Sequence, residues 1–374
     1  VFARANFSRA IKVTGFFRSF TKEITVKKSI LYSLLGGVAA MAVAGPAAAQ
    51  TKWMMDVWLP NKHPIKTGLQ NKMQTDYNAV TNGRVQIQFP AAKLSASSKQ
   101  WEAVDSGISD VAVSYIGWYR NRIKLPALAH LPFMVPNAEK ASLAIWKTQQ
   151  KFFNAAGEFK GMKLLAFLTH NGSHIANSKR EIKTVADLKG LKIRASAGEA
   201  TQSLKLLGGN PVTTSGPKIF EFVSKGVVDG LQDGMHAPRA FKIIRFLKHV
   251  TKVPGSLGTI TFAVFVKQSK WDGISAADRK AIDGVSGEGL SAYGGRAFDD
   301  FTNGSFDMMK KAGVSIKDAS PKLVSQLKER LQPMRDTWIK AAAAKSVAAS
   351  VLSKDGFTDG FVTSLGVILC SEIG

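Results

Sequence analysis

The sequence predicts an α/β protein with parallel sheets and helices on both faces. Three observations carry that reading. Strand-like and helix-like segments alternate through most of the chain. Composition is ordinary for a globular protein, 45% apolar and 21% charged. Some 325 of the 374 residues follow an apparent leader, a length that suits two lobes, each with its own sheet.

The elements run as follows. Residues 52–59 (KWMMDVWL) read as a first strand, and a polar turn over 60–64 leads to a helix over 65–80. Residues 84–89 (RVQIQF) alternate polar and apolar, the mark of a half-buried strand. A short helix over 101–106 precedes the nearly apolar strand 111–115, and a longer helix covers 138–156. Residues 162–168 are so uniformly apolar that they read as a buried strand of the parallel type. Residues 191–193 form a short strand ending at Arg194. A helix, a Gly-Gly-Asn-Pro turn, a strand start, another helix and a turn at Val228-Asp229-Gly230 follow. Residues 259–266 (TITFAVFV) are a strong strand, and Trp271 begins a polar turn. Residues 276–312 are helical with a break near the glycines, and 321–344 form a final helix.

The two ends read differently. Lys27 and Lys28, the apolar run 30–44 and an A-x-A pattern before Gln50 make residues 26–49 a secretory signal peptide. The run is short for a spanning helix, which needs about 20 residues. Residues 1–25 read as upstream sequence translated ahead of an alternative start at Val26. Residues 346–374 lose periodicity and read as a tail of uncertain structure. Residues 50–345 are the folded part, and the leader directs it to the periplasm.

The formal charge is +24, and seven Lys/Arg against one Glu precede Gln50, which leaves +18 on the rest. The lysines are dispersed, so this is the charge of solvated faces rather than a nucleic-acid stripe. One cysteine, Cys370, makes neither an intrachain disulfide nor a Cys-rich metal site. The six histidines show no H-E-x-x-H spacing, and no nucleophile elbow or Walker A loop occurs. Gly287-Glu288-Gly289-Leu290-Ser291-Ala292 has G-x-G-x-x-A form but sits in a helical pattern, the wrong context for a dinucleotide. The expectation is a binding protein, not an enzyme, with no cofactor and no metal.

Arg194, a cation at a strand end beside a helix start, is well placed to hold an anion. The segments around it carry a resemblance. They are Asp105-Ser106-Gly107-Ile108-Ser109-Asp110, Leu131-Pro132-Phe133, residues 186–194 (ADLKGLKIR), Gly208-Gly209-Asn210-Pro211-Val212, Gly226-Val227-Val228-Asp229-Gly230, and Trp271. In this order and spacing, over about residues 52–340, the chain resembles the periplasmic solute-binding protein of a TRAP transporter, the DctP family.

The resemblance implies a two-lobed fold with interleaved lobes, a ligand cleft between them and a long linking helix. Hinge crossings fall near 170–180 and 255–265. It implies delivery of the ligand to TRAP membrane permease subunits driven by an ion gradient, by a protein acting as a monomer. The family's LKIR arginine grips the ligand carboxylate, and Arg194 matches it; a planar guanidinium makes two parallel bonds to a carboxylate. Where sialate-type members carry a second arginine after an Asn-Gly turn, this chain has His174 after Asn171-Gly172-Ser173. Where sugar-acid members carry polar wall residues, it has Tyr115 and Trp118, either a stacking cleft wall or hinge packing. Asp233 occupies a position that faces ligand in the family, or caps the next helix. Asn210 contacts ligand or makes the turn before Pro211. Lys218 stands where a Glu is common.

The ligand expected from these residues is a small organic monocarboxylate, with an aromatic or apolar acid favoured over a sugar acid. Two alternatives stand beside it: a binding protein of an ATP-driven importer, and a periplasmic enzyme acting on a carboxylic acid.

Overall fold

The computed structural model describes residues 50–345. The leader, the upstream segment 1–25, the tail 346–374 and Cys370 lie outside the described residues. In chain order the strands are β1 (Thr51–Met54), β2 (Val85–Gln88), β3 (Val111–Tyr115), β4 (Met162–Thr169), β5 (Ser173–Asn177) and β6 (Lys192–Ala195). They continue with β7 (Asn210–Thr213), β8 (Gly230–Gly234), β9 (His249–Lys252), β10 (Thr261–Lys267) and β11 (Ser315–Asp318).

They form two lobes. In the first, β1 pairs with β2 in parallel, β10 lies between β3 and β4, and a bridge from Met55 to Val111 joins the two groups. In the second, six strands run in the order β11-β9-β5-β8-β6-β7. The chain passes from the first sheet to the second across residues 170–172, and back across 253–260. The helix Gly287–Lys311 packs on the first lobe and delivers the chain to β11 in the second.

The expectation of parallel sheets needs correction. β4 pairs antiparallel with β10, and β10 antiparallel with β3; β5 is antiparallel to both β8 and β9. The apolar run of β4 reflects burial on both faces, with Phe167 packed in one core cluster and Ala166 and Leu168 in the other. Burial says nothing of strand direction, so the sequence signal was read too far. A second correction concerns Trp271. It lies in a helix, Gln268–Asp272, not a polar turn. Its buried ring sits 6.4 Å from that of Trp53, and Lys163 lies over it. Polar neighbours hid it because only one side of that short helix faces inward.

Two helices fix the first lobe. The helix Ala138–Thr148 lies against Gly287–Lys311, and the two approach so closely that a Cβ on Gly295 would fall 2.5 Å from the Ala138 carbonyl oxygen. Asp299 of the long helix accepts hydrogen bonds from the Ala138 and Glu139 amides, 2.9 and 3.0 Å, and so caps the shorter helix from outside.

Candidate functional site

The site lies where the ends of β1, β3, β6, β7 and β8 converge between the lobes. Ligands of open α/β sheets settle outside the carboxyl ends of parallel strands, where loops and free amides gather. The pocket there encloses about 440 Å³ of empty space, part of it open to solvent. Its apolar walls come from Trp58, Tyr115, Trp118, Phe241, Ile260 and Phe262, and its polar groups from Arg194, Asp233, Thr214, His63 and His236.

Arg194 is the third residue of β6 and only 2% exposed. β6 lies in parallel register with β8, placing Arg194 opposite Leu231, so Asp233 two residues on shares its face. Nη1 of Arg194 donates to Asp233 Oδ2. Nε and Nη2 donate to the Thr214 carbonyl oxygen at 3.2 and 2.6 Å. A guanidinium has five N–H donors. Among the described residues three are used, leaving one N–H on each terminal nitrogen.

Asp233 is held in turn. Its Oδ1 accepts from the Gly234 amide at 2.8 Å. His170 Nε2 stands 3.3 Å from that same oxygen, near enough for charge attraction but out of line for a hydrogen bond. Burial alone would raise the Asp233 pKa, but Arg194 and His170 outweigh it and hold the carboxyl well below the usual range. Burial lowers that of Arg194, with Asp233 opposing. The pair is thus a buried, mutually dependent ion pair that orients the guanidinium.

Beside it sit three buried histidines, His63, His170 and His236, packed around Phe298 of the long helix. Burial holds His63 down to about 3 and His236 well below its ordinary value. Among the described residues no group of three or more His, Cys, Asp or Glu is arranged to hold a metal ion; the rings of His63 and His236 meet edge to face, and those of His170 and His236 at a tilt of 41°.

The aromatic wall is built from residues that follow β1, end and follow β3, and begin β10, with Phe241 added from the segment between β8 and β9. Trp118 follows β3 and is half-buried; its ring meets those of Trp58 at 5.3 Å and Tyr115 at 5.4 Å, both steeply inclined. Trp58 Nε1 donates to the Val113 carbonyl at 2.8 Å, which fixes its plane. Tyr115 is buried, and its hydroxyl donates across the cleft to the Ala197 carbonyl at 2.6 Å, so that hydroxyl is already engaged. A Cβ on Gly117 would fall 2.2 Å from the Tyr115 hydroxyl oxygen, so this turn admits only glycine without moving the ring. A second cross-cleft contact joins His130 Nδ1 to Glu199 Oε2 at 2.9 Å.

Of the residues expected from the sequence, Arg194, Asp233, Tyr115 and Trp118 meet at this pocket. The other three lie elsewhere. His174 points to β9, where its Nδ1 accepts from the Val253 amide at 3.1 Å; burial lowers its pKa to about 4. Asn171 is bound to the long helix through Asp299 and Thr302. Asn210 is the exposed first residue of β7. Sequence reasoning did not single out Trp58, His63, Thr214, His236, Phe241 or Phe262. Strand ends were the available signal: Thr214 directly follows β7, and His236 lies two residues past β8.

Comparison with known proteins agrees with the geometry. Residues 54–341 match the family described as bacterial extracellular solute-binding protein, family 7 (DctP). The chain is 27% identical over 311 residues to the outer membrane transporter protein TsaT of Comamonas testosteroni, covering 83% of this chain and 91% of that one. It is 23% identical to the C4-dicarboxylate-binding periplasmic protein DctP of Rhodobacter capsulatus, over 86% of this chain and 97% of that one. Among solved structures, a TRAP periplasmic solute-binding protein of Bordetella bronchiseptica with bound (R)- and (S)-mandelate superposes with a TM-score of 0.80. That likeness has 25% identity and covers 85% of this chain and 99% of that one. A TRAP solute-binding protein of Rhodoferax ferrireducens, in complex with copurified benzoate, gives 0.76 at 22% identity, over 86% of this chain and 98% of that one. A two-lobed fold, an arginine at the end of β6 and a family match across nearly the whole described region lead to one conclusion: the chain belongs to family 7 of the bacterial extracellular solute-binding proteins, the DctP-type binding proteins of TRAP transporters.

Proposed function

We propose that this protein captures a small aromatic monocarboxylate in the periplasm and delivers it to an ion-gradient-driven TRAP permease. The observation that carries the reading is the pairing, in one pocket, of a buried Arg194 having two unused donors with a wall of indole and phenyl rings. The guanidinium takes the carboxylate, and the rings of Trp58, Trp118, Phe241 and Phe262 cover a flat apolar body. A dicarboxylate or sugar acid would bring further charge or hydroxyls against those rings, at a desolvation cost. The mandelate bound by the Bordetella bronchiseptica relative supports the same class.

A thermal-shift screen of aromatic, aliphatic, dicarboxylic and sugar acids tests the proposal. A ligand that binds only the folded state raises stability by about 2.7 kcal/mol at a hundred times its Kd. Aromatic monocarboxylates are expected to give the largest shifts. A ranking led by dicarboxylates or sugar acids would overturn the reading. Chemical change of the acid on incubation would favour an enzyme instead.

A further inference from the structure

Basic charge is spread over most of the chain, but over one stretch it is unopposed. Residues 234–271 hold seven Lys or Arg and no Asp or Glu. Three of the seven, Lys242, Arg245 and Lys248, are exposed at intervals of three, while Ile243, Leu247 and Val250 of the same segment are buried. The 3₁₀ turn Ile244–Phe246 suits that interval. The outer side of the segment therefore carries the cations. None of the three has a salt-bridge partner among the described residues, although other cations of this lobe do. Lys179 pairs with Asp229, Lys225 with Glu221 and Lys252 with Asp318.

An exposed ring lies beside them. Phe220, 41% exposed in the helix Ile219–Ser224, meets Phe246 edge to face at 6.2 Å. The Arg245 guanidinium lies 4.8 Å from the Phe246 ring centroid and 5.9 Å from that of Phe220. Lys218, also exposed, stands two residues before Phe220. A small anion would neutralise such cations and leave the ring in water. An anionic bilayer surface meets both, because lipid phosphates take the cations and the boundary with the acyl chains takes the ring.

We propose that Lys218, Phe220, Lys242, Arg245 and Lys248 form a patch that adsorbs the protein to anionic phospholipid, holding the second lobe at a membrane surface. A few charges and one ring give reversible adsorption, not anchoring. The patch flanks the pocket, since Phe241 and Gly216 of the same two segments line it. An adsorbed protein meets a membrane partner by searching two dimensions instead of three. The inference does not depend on which acid fills the pocket.

Co-sedimentation with vesicles of mixed phosphatidylcholine and phosphatidylglycerol, and of phosphatidylcholine alone, tests the inference without any acid ligand. At about 0.15 M salt only charges within about 8 Å of the surface act strongly. Wild-type protein is expected to sediment with the mixed vesicles and not with phosphatidylcholine. The variant Lys242→Ser/Arg245→Ser/Lys248→Ser should partition about a hundredfold more weakly, at about fivefold per basic residue near an anionic surface. Phe220→Ser should lose about threefold or more, as its apolar area leaves the interface. A control, Lys52→Ser/Lys93→Ser/Lys160→Ser, removes equal charge from exposed positions of the first lobe and should lose about threefold at most. If the loss of Arg245 lowers the melting temperature, Lys242→Ser/Lys248→Ser replaces the triple variant, with a loss of about 25-fold expected. Equal sedimentation with both vesicles, or with neither, overturns the inference. So does an equal loss in the control, which would assign adsorption to net charge. Unchanged partition in the Phe220 variant or in the patch variant overturns it as well.

Discussion

Arg194 cannot be altered without consequence for Asp233. The two are buried together, with side chains 3% and 6% exposed. Removing one partner of such a pair costs about 3–5 kcal/mol, because the other is left as an unpaired charge. Arg194→Ala is therefore expected to unfold at clearly lower urea concentration than wild type. The double variant Arg194→Ala/Asp233→Asn should regain most of that stability, since the remaining amide needs no counter-charge. Wild-type stability in the single variant would show that Asp233 is not held as a carboxylate. The histidines add a pH dependence. His63, His174 and His236 have folded pKa values below the ordinary 6.5, with His63 at about 3 and His174 at about 4. The unfolded chain takes up protons at these positions as pH falls below about 6.5, and the folded chain does not. Their contribution is intact above that pH and shrinks steadily toward 3–4. Asp233, lowered in the folded state, adds a loss that begins near pH 4. The melting temperature should fall from pH 7 to pH 4.5, and a flat profile would contradict this account of the buried cluster. Arg194 was legible in the sequence because a strand end and a contiguous motif both mark it. His63, His170 and His236 were not, since more than 60 residues separate each from the next and only the tertiary fold brings them to Phe298.

Elements were legible where a single face or a long period defines them. The helix expected over 138–156 appears as Ala138–Thr148 continued by tighter and looser turns to Ala156, and the final helix ends within a residue of its expected limit. Strand β3 matches its expected span. Short polar strands were not legible. β9 (HVTK) and β11 (SIKD) are four residues each, and β8 (GLQDG) is fully buried despite its polar residues. β8 is kept in the sheet by its neighbours β5 and β6, and buried Gln232 is satisfied by Ser203 at 2.8 Å. None of this leaves a hydrophobic pattern to read. The closest packing of two elements supplies a test at this scale. Gly295→Ala puts a methyl against the Ala138 carbonyl and the Glu139 backbone, where neither helix can give way cheaply. A loss of about 1–3 kcal/mol is expected, the range for overpacking. Unchanged stability would mean that the helices are not clamped together there.

At the scale of the whole molecule, the pocket lies between two sheets that share it. The alternation that predicted an α/β fold was sound, and the mixed strand directions were beyond it, because direction is set by connections that run between lobes. Two contacts tie the lobes beside the pocket: Tyr115 to the Ala197 carbonyl, and His130 to Glu199. Burial raises the pKa of Glu199, but the hydrogen bond from His130 wins and lowers it, so the carboxylate is the form that makes the tie. Glu199 is not among the residues that line the pocket. Glu199→Gln should therefore weaken binding of every ligand alike, by about two- to tenfold, through faster release rather than slower capture. Stopped-flow rates would show it, and a change in ligand order would contradict the assignment of Glu199 to the tie between the lobes.

The central claim is that an aromatic acid is held by Arg194 inside a ring-walled pocket. Calorimetric titration of mandelate into wild-type protein and into the refolded-stable Arg194→Ala/Asp233→Asn variant tests it most directly. The account predicts saturable binding to wild type and an affinity lower by about a hundredfold or more in the variant, the worth of two charge-assisted hydrogen bonds. Equal affinity in the two proteins would contradict it.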